Sequence, residues 1–418
     1  MAVANFGSNS VSIFRNTSTS GSISFAARVD FATGINPRGV NIGDFDGDGK
    51  PDLAIAHGGN NFMSVLRNNS TSGSIAFQAK VDFALSGGNS STFVNSGDLD
   101  GDGKLDIVVA NYALSTVSVF RNTATSGTID ASSFAAKVDF ATGIFPFSVS
   151  IGDFDGDNKP DLATANLNDN TISVLRNTAS SGSINASSFA AKVDFAAGAG
   201  TISSNVGDID GDGKLDLLGT NYDASTLSIL RNTATSGSIS AGSFNSRINY
   251  PTFTGISSGT GPRFVCIGDL DGDGKPDMAV VSNITNTVSI IHNPFISIPT
   301  NLAGPGSICS NSTATLSATC VAGTTPTWYS ASSSTTSVFS GSPFVTPPIA
   351  ASTYYTVSCK QGSNSSPVVS IYTDIKPSPA APTITASGAT TFCSGGSVTL
   401  NSNVGNNNAL SFVKTSSQ

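Results

Sequence analysis

The sequence predicts an all-β chain: a β-propeller of about six four-stranded blades, possible also as a truncated seven, followed by an immunoglobulin-like β-sandwich. Three observations predict it. A nine-residue aspartate loop recurs five times, starting at Asp44, Asp98, Asp153, Asp208 and Asp269, in steps of 54, 55, 55 and 61 residues. Around each loop the same series of short apolar and alternating runs returns, with polar turns between them and no helical period. After Pro294 the loops stop, and a strand with Cys320, one with Trp328 and a later one with Cys359 take over.

The repeat can be read strand by strand. A short run (Val40-Asn41-Ile42-Gly43) leads into the Asp loop, and an apolar run such as Asp106-Ile107-Val108-Val109-Ala110 leaves it. An alternating strand ending in Arg-Asn follows, as in Thr171 to Asn177, and a Ser/Thr/Gly-rich connection leads to a last strand, Ala136 to Phe140. Four strands in about 55 residues make one propeller blade, longer than the commoner ~40–50-residue repeats. The extra length lies in the connection at 178–188, which reads as a surface excursion. A solenoid of stacked β coils is the competing architecture, but its coils are usually shorter than four strands. Residues 1–31 supply only the last three strands of a repeat and residues 264–292 only the first three. The expected organisation is a propeller over 1–295, a proline-bearing linker at 296–305, an immunoglobulin-like domain at 306–376, and a partial second one at 377–418. The last rests on Cys393-Ser394-Gly395, which echoes Cys309-Ser310-Asn311.

Composition agrees. Only 11% of residues are charged, far below the roughly 25% of ordinary soluble domains. Ser, Thr, Asn and Gly replace them, which favours turns and short strands over helix. The chain has no glutamate, so all 28 acidic residues are Asp, and 20 of them sit in the five loops. Five bound divalent cations would turn the net charge of −8 into +2. A negative metal-free charge without a basic stripe excludes nucleic acid as an expected partner. No stretch approaches the ~18–20 apolar residues of a membrane span. No signal peptide is expected within these residues, since Met1-Ala2-Val3-Ala4-Asn5 aligns with Met278-Ala279-Val280-Val281-Ser282 inside a repeat. The expectation is a fragment, with a secretion signal and earlier repeats upstream.

Each loop presents carboxylates at positions 1, 3, 5 and 9 and a backbone carbonyl at 7. The expected ligands are Asp44, Asp46, Asp48, Lys50 and Asp52; Asp98, Asp100, Asp102, Lys104 and Asp106; Asp153, Asp155, Asp157, Lys159 and Asp161; Asp208, Asp210, Asp212, Lys214 and Asp216; and Asp269, Asp271, Asp273, Lys275 and Asp277, each Lys through its carbonyl. Such hard oxygens suit Ca2+, which takes six to eight at about 2.3–2.6 Å, better than Mg2+, which demands a tighter octahedron. Position 12 lacks the Glu of an EF-hand, and a β run follows instead of a helix. Metal-free Asx turns are the plainer alternative, but four carboxylates crowded into nine residues repel without a cation.

These residues resemble FG-GAP/VCBS repeats, the blades of integrin-α-type propellers found in many bacterial secreted proteins. Gly43 to Ala54 reads like the family signature, as do the copies at Gly97, Gly152, Gly207 and Gly268. The resemblance implies that the loop joins the first two strands of a blade and binds calcium, about five ions in all. It also implies that ligands are engaged on the face away from the loops. The C-terminal part is similar to immunoglobulin-like modules of large Bacteroidetes surface proteins, which tend to occur in tandem.

Cys320 and Cys359 have inward-facing neighbours, Ala318 and Val357, and are expected to form a disulfide; Cys309 is then unpaired or pairs in place of Cys320. Cys266 is expected to be a buried free thiol. His57 and His292 are expected at the surface, and the recurring Arg/Lys-Val-Asp-Phe is expected to serve the strands. No Gly-x-Ser-x-Gly, zinc-type His pair or phosphate loop occurs. The expected function is therefore that of a non-catalytic, calcium-binding, extracellular or cell-surface adhesion or ligand-binding protein with a protein or glycan partner. The alternative is the propeller module of a secreted polysaccharide-active enzyme.

Overall fold

A computed structural model of the chain describes residues 1–376 apart from 88–89, 253–260, 294, 297, 322, 332–335, 362–363 and 367, together with the strands Ile384–Ala386 and Leu400–Ser402. The chain divides into two compact units, Met1–Ser297 and Ile298–Gln418.

The first unit is a propeller of six antiparallel meanders. The first sheet holds Ala2–Asn5, Ser10–Ile13 and Val29–Ala32. The second holds Pro37–Gly43, Asp52–His57, Phe62–Leu66 and Val81–Ala84. In the third these become Ser91–Gly97, Asp106–Asn111, Thr116–Phe120 and Val138–Ala141. The fourth has Pro146–Gly152, Asp161–Asn166, Thr171–Leu175 and Val193–Ala196. The fifth has Thr201–Gly207, Asp216–Asn221, Thr226–Leu230 and Ile248–Pro251. The sixth has Pro262–Gly268, Asp277–Ser282 and Thr287–Ile291. Strands pair in chain order within every sheet, and the first strands of successive blades pack against one another.

The apolar pattern follows from this stacking. A blade in the middle of the series is covered on both faces, so its second strand reads as a continuous apolar run rather than an alternation. Asp106–Asn111 is buried at all six positions. Each core forms between blades: Met63, Val65 and Phe83 of the second sheet meet Val94, Ile107 and Phe120 of the third, and the pattern repeats down the chain. The forward face of the sixth sheet lacks such a partner among the described residues. Val288 and Ile290 are 60% and 59% exposed where Met63 and Val65 are fully buried. Cys266, expected buried, is exposed for the same reason. In the blade before it, the equivalent Asn205 donates to Val265 O of the next first strand (2.7 Å), and among the described residues Cys266 has no next strand to meet.

Every four-stranded blade and the sixth share one irregularity. The pairing of first and second strands slips by one residue near its start, between Pro37 and Gly39, Ser91 and Phe93, Pro146 and Ser148, Thr201 and Ser203, and Pro262 and Phe264. Such β-bulges re-aim a side chain.

In the second unit, Thr300–Ala303, Thr315–Thr319 and Phe344–Val345 form one sheet. Ser307–Cys309, Val369–Lys376, Thr353–Gln361, Thr325–Ser330 and Ser337–Ser340 form the other. Part of the stretch read as a linker is thus a strand of this unit, because Thr300 and Ala303 pair with Thr319 and Ser317. Trp328 is fully buried among Leu316, Phe344 and Val357, and its indole N–H donates to Gly341 O (2.9 Å). Cys320 and Cys359 are joined by a disulfide, Cα atoms 5.6 Å apart, while Cys309 is free and exposed. Of the expected second module at 377–418, only the two short strands above lie among the described residues.

Candidate metal centres

Every Asp loop joins the first strand of a blade to its second and folds on its own backbone. In the first loop Asp48 N–H donates to Asp44 Oδ1 and Asp46 Oδ1 (both 3.1 Å), Gly49 N–H to Asp44 Oδ2 (2.9 Å), and Lys50 N–H to Asp48 Oδ1 (2.9 Å). Position 6 requires the left-handed region: Gly49 has φ 83°, and Asn158 takes the same place at φ 67°. Carboxylate oxygens of positions 1 and 3 lie within 4.8 Å of each other and of a third, from Asp48 in the first loop and from Asp106, Asp161 and Asp216 in the next three.

The position-9 carboxylates Asp52, Asp106, Asp161, Asp216 and Asp277 are essentially fully buried. Each ties the loop to the end of the third strand; Asp161 accepts from Phe154 N–H (3.0 Å) and Asn177 N–H (2.7 Å). Burial, with smaller contributions from the other loop carboxylates, pushes Asp52 up to about 6 and Asp106, Asp161 and Asp216 up to about 7. A cation beside them reverses that preference.

The Arg that ends the third strand reaches back to the loop, a role the sequence pattern left unassigned. Arg121 pairs with Asp100 (2.5 Å) and Asp102 (2.9 Å), and Arg176 with Asp155 (2.5 Å) and Asp157 (2.7 Å); Arg67 does the same with Asp46 and Asp48. In the fifth loop His292, 60% exposed as a side chain, replaces the Arg and meets Asp271 at 3.0 Å. Arg231 makes one carboxylate contact among the described residues, with Asp210 at 3.2 Å, and the buried Asp210 Oδ1 has no hydrogen-bond partner there. Four carboxylates against one guanidinium, or one imidazole in the fifth loop, still leave each loop negative. The orphaned oxygen and the convergent, acceptor-only donor set fit a hard divalent cation. Three lysine side chains turn elsewhere, Lys104 Nζ to Ala124 O, Lys159 Nζ to Ala179 O and Lys214 Nζ to Ala234 O (2.8 Å each), while Lys275 Nζ meets Asp273 of its own loop at 3.5 Å; a protonated amine is no metal ligand, so only the lysine carbonyls are candidates.

The first four loops are also clasped by the next blade. Asn122, Asn177, Asn232 and Asn293 donate to the position-2 carbonyls of Phe45, Leu99, Phe154 and Ile209, at 2.7–2.9 Å. The long connection adds Gly182 N–H to Asp100 O (3.1 Å) and Ser181 Oγ to Gly101 O (3.1 Å). What reads as a surface excursion is an inter-blade clasp. Sequence inspection misses it because donor and acceptor lie 77–84 residues apart.

His57 is fully buried, contrary to its expected surface position. Its Nε2 donates to Ser64 Oγ (2.9 Å), which donates to Asp82 Oδ1 (2.5 Å). These are the residue types of a hydrolytic triad in the wrong order, with Ser rather than His in the middle and no access for substrate. Elsewhere Asn fills the place of His57: Asn166 Nδ2 donates to Ser173 Oγ (2.8 Å), which donates to Asp194 (2.5 Å). The recurrent Asp of Lys-Val-Asp-Phe thus anchors the fourth strand to the third. Burial pushes His57 down to about 4 from its ordinary value near 6.5. Its depressed value means that the stability it contributes is complete above pH 6.5 and drains as pH falls toward 4. In saturating calcium the propeller is expected to lose about 2 kcal/mol from this group by pH 5, and His57→Asn should remove that share of the acid shift. Parallel thermal melts of both proteins at pH 7.5 and 5 check it; an identical acid shift in the variant would contradict the assignment.

Fold and site together define a repeat propeller whose blades are cross-linked through acidic loops, followed by an immunoglobulin-like domain. A family model described as FG-GAP-like repeat matches residues 1–55, 44–109, 98–164, 153–219 and 208–280, and one described as Ig-like domain, CHU_C associated, matches 297–377. The chain belongs to the FG-GAP-like repeat family. No curated protein matches it. Similar solved structures include a functionally unknown protein from Desulfotomaculum acetoxidans (13% identity, 70% of this chain and 85% of that one, TM-score 0.44). A Lactobacillus plantarum protein (12%, 87% and 96%, TM-score 0.43) is another. A third is an Agrocybe aegerita lectin described as recognising non-reducing terminal N-acetylglucosamine (15%, 71% and 80%, TM-score 0.40). At such scores these likenesses carry no functional argument.

Proposed function

We propose that the chain is a calcium-stabilised, non-catalytic binding or adhesion module that works outside the cell. The observation that carries the reading is the placement of the acidic residues: 20 of the 28 Asp form five loops, and four of those loops are clasped by the following blade. Their chemistry serves the scaffold, and ligands are left to the opposite ends of the first strands. Asp44, Asp46, Asp48 and Asp52, with the Lys50 carbonyl, would hold one ion, and the four other loops would hold theirs likewise. The cation would supply charge neutralisation and a rigid loop rather than Lewis-acid chemistry. Loops of this type suit millimolar calcium, with Kd on the order of 10⁻⁴–10⁻³ M, as is found outside cells. The Cys320–Cys359 disulfide supports the same location, because such bonds persist in oxidising compartments. The buried His57–Ser64–Asp82 chain supports binding over catalysis. A paired screen tests the reading: arrays of extracellular proteins and glycans should give saturable binding, and a panel of polysaccharides should give no turnover. Turnover by the calcium-loaded protein would reverse it.

A further inference from the structure

The five bulges each leave one residue out of the pairing, Arg38, Thr92, Phe147, Ile202 and Arg263, and all five line one recess. With their neighbours they line a recess of about 320 Å³ to which all six sheets contribute, from Ala4 and Phe6 of the first to Phe264 of the last. It lies at the start of the first strands, whereas the Asp loops lie at their ends. Seven residues of strand, roughly 20 Å, separate the two.

Within a repeated frame, the positions that differ are those the frame does not dictate. The bulge residue and its successor read Arg38-Gly39, Thr92-Phe93, Phe147-Ser148, Ile202-Ser203 and Arg263-Phe264, while Val40, Val94, Val149 and Val265 follow in four of five blades. The turn before the strand varies likewise. Asn36, Gly200 and Gly261 take positive φ there, as small or amide residues do cheaply. Phe145 takes φ 60° in the same place, an uncommon and costly conformation for a bulky side chain, and stacks on Tyr112 (4.5 Å between centroids).

The chemistry of the recess is aromatic and cationic. Phe93 stacks on Phe264 (6.1 Å), and Arg263 lies over Tyr222 (4.9 Å) and Phe147 (5.9 Å), with Arg38 over Phe6 (5.2 Å). Neither arginine has an ion pair with a carboxylate among the described residues, whereas Arg28, Arg67, Arg121, Arg176 and Arg231 all do. The hydroxyls are engaged internally: Thr92 Oγ1 donates to Pro146 O (3.2 Å), Ser148 Oγ bonds Ser204 Oγ (3.2 Å), and Ser203 Oγ accepts from Thr220 (3.0 Å). A sugar presents several hydroxyls that each need a partner, and this lining offers few. It offers rings for an apolar side chain and two guanidinium groups for a carboxylate.

We infer that the axial recess binds an acidic, apolar peptide segment of a partner protein, its carboxylate between Arg38 and Arg263 and its apolar side chain on Phe93 and Phe147. This inference rests on the binding role proposed above and names the site and ligand class for it. The test is selection of a random heptapeptide display library on the immobilised calcium-loaded protein, beside an array of uronate-containing oligosaccharides. The expected result is enrichment of peptides with Asp or Glu next to an aliphatic or aromatic residue. A synthetic copy of the enriched peptide should bind at least about tenfold more weakly to Arg263→Gln and to Arg38→Gln, consistent with loss of a charge-assisted bond. Both arginines are solvent-accessible, so melts in calcium are expected to match wild type; if a variant melts low, Phe147→Leu read against the same peptide replaces it. Enrichment of basic peptides, no enrichment, binding to the uronates alone, or unchanged affinity in the variants overturns the inference. Any of those results with a calcium-dependent melt leaves the calcium scaffold standing, so the two readings fail separately.

Discussion

Removal of calcium by a chelator is expected to lower the melting temperature of the propeller by on the order of 10 °C. At 10 mM calcium and Kd near 10⁻³ M, each site adds about 1.4 kcal/mol to the folded state by mass action. Five sites in one cooperative unit add roughly 7 kcal/mol, and a degree or two of melting temperature accompanies each kcal/mol in a unit of this size. The metal-free chain pays a second cost. Asp106, Asp161 and Asp216 are buried with values raised to about 7, so in the folded state their ionisation is opposed. A raised acid contributes most below its unfolded value near 4 and loses that contribution as pH rises through 7. Chelated protein should therefore melt higher at pH 5.5 than at pH 8, and calcium-loaded protein should not. Scanning calorimetry with and without chelator at both pH values checks sign and size together. Coincident curves would show that the loops are metal-free turns.

Asn177→Ala should cost about 3–5 kcal/mol, the largest effect expected of a single polar substitution in this unit. The side chain is fully buried; it donates to Leu99 O of the preceding loop (2.8 Å) and Pro160 O of its own (2.9 Å), and accepts from Ala179 N–H (2.8 Å). Truncation leaves three buried backbone groups short of a partner, each costing about 1–3 kcal/mol, softened by any water that enters. Thr178→Ala is the control. Its hydroxyl bonds Ser187 O (2.8 Å) at an exposed site, and the change should cost under about 1 kcal/mol. The clasp also couples the two predictions: Asn177→Ala should weaken calcium binding at the loop starting at Asp98, whose second carbonyl it holds. Chemical denaturation of both variants, with calcium titrations alongside, separates this account from a generic loss of packing. Equal losses in the two variants would contradict it.

Much of this was legible because repetition exposes structure. Five copies of one loop at steps of 54 to 61 residues mark the blades, and Cys320, Trp328 and Cys359 mark the sandwich. What stayed illegible involves partners far apart in the chain. The Arg-Asn that closes each third strand was visible as a landmark, but its two roles were not: Arg176 grips its own loop 19–21 residues back, and Asn177 grips the previous one 78 residues back. His57 was misplaced at the surface because a single His among Asn residues looks like an excursion; in the blade it is a substitute donor to Ser64. Cys266, which replaces a polar residue in a strand, reads as a buried thiol, and only the stacking of the blades shows it exposed. The axial recess was invisible because its residues come one per blade and share no motif.

The central claim is that the five aspartate loops are calcium sites, four of which lock neighbouring blades together. Counting bound ions by equilibrium dialysis against radioactive calcium tests it most directly. The account predicts about five ions per chain, one fewer in Asp155→Asn, and no such loss in Asp130→Asn, whose carboxylate is bonded only locally to Ser132 and Ser133. Fewer than one ion per chain at 10 mM free calcium, or equal counts in the two variants, would contradict it.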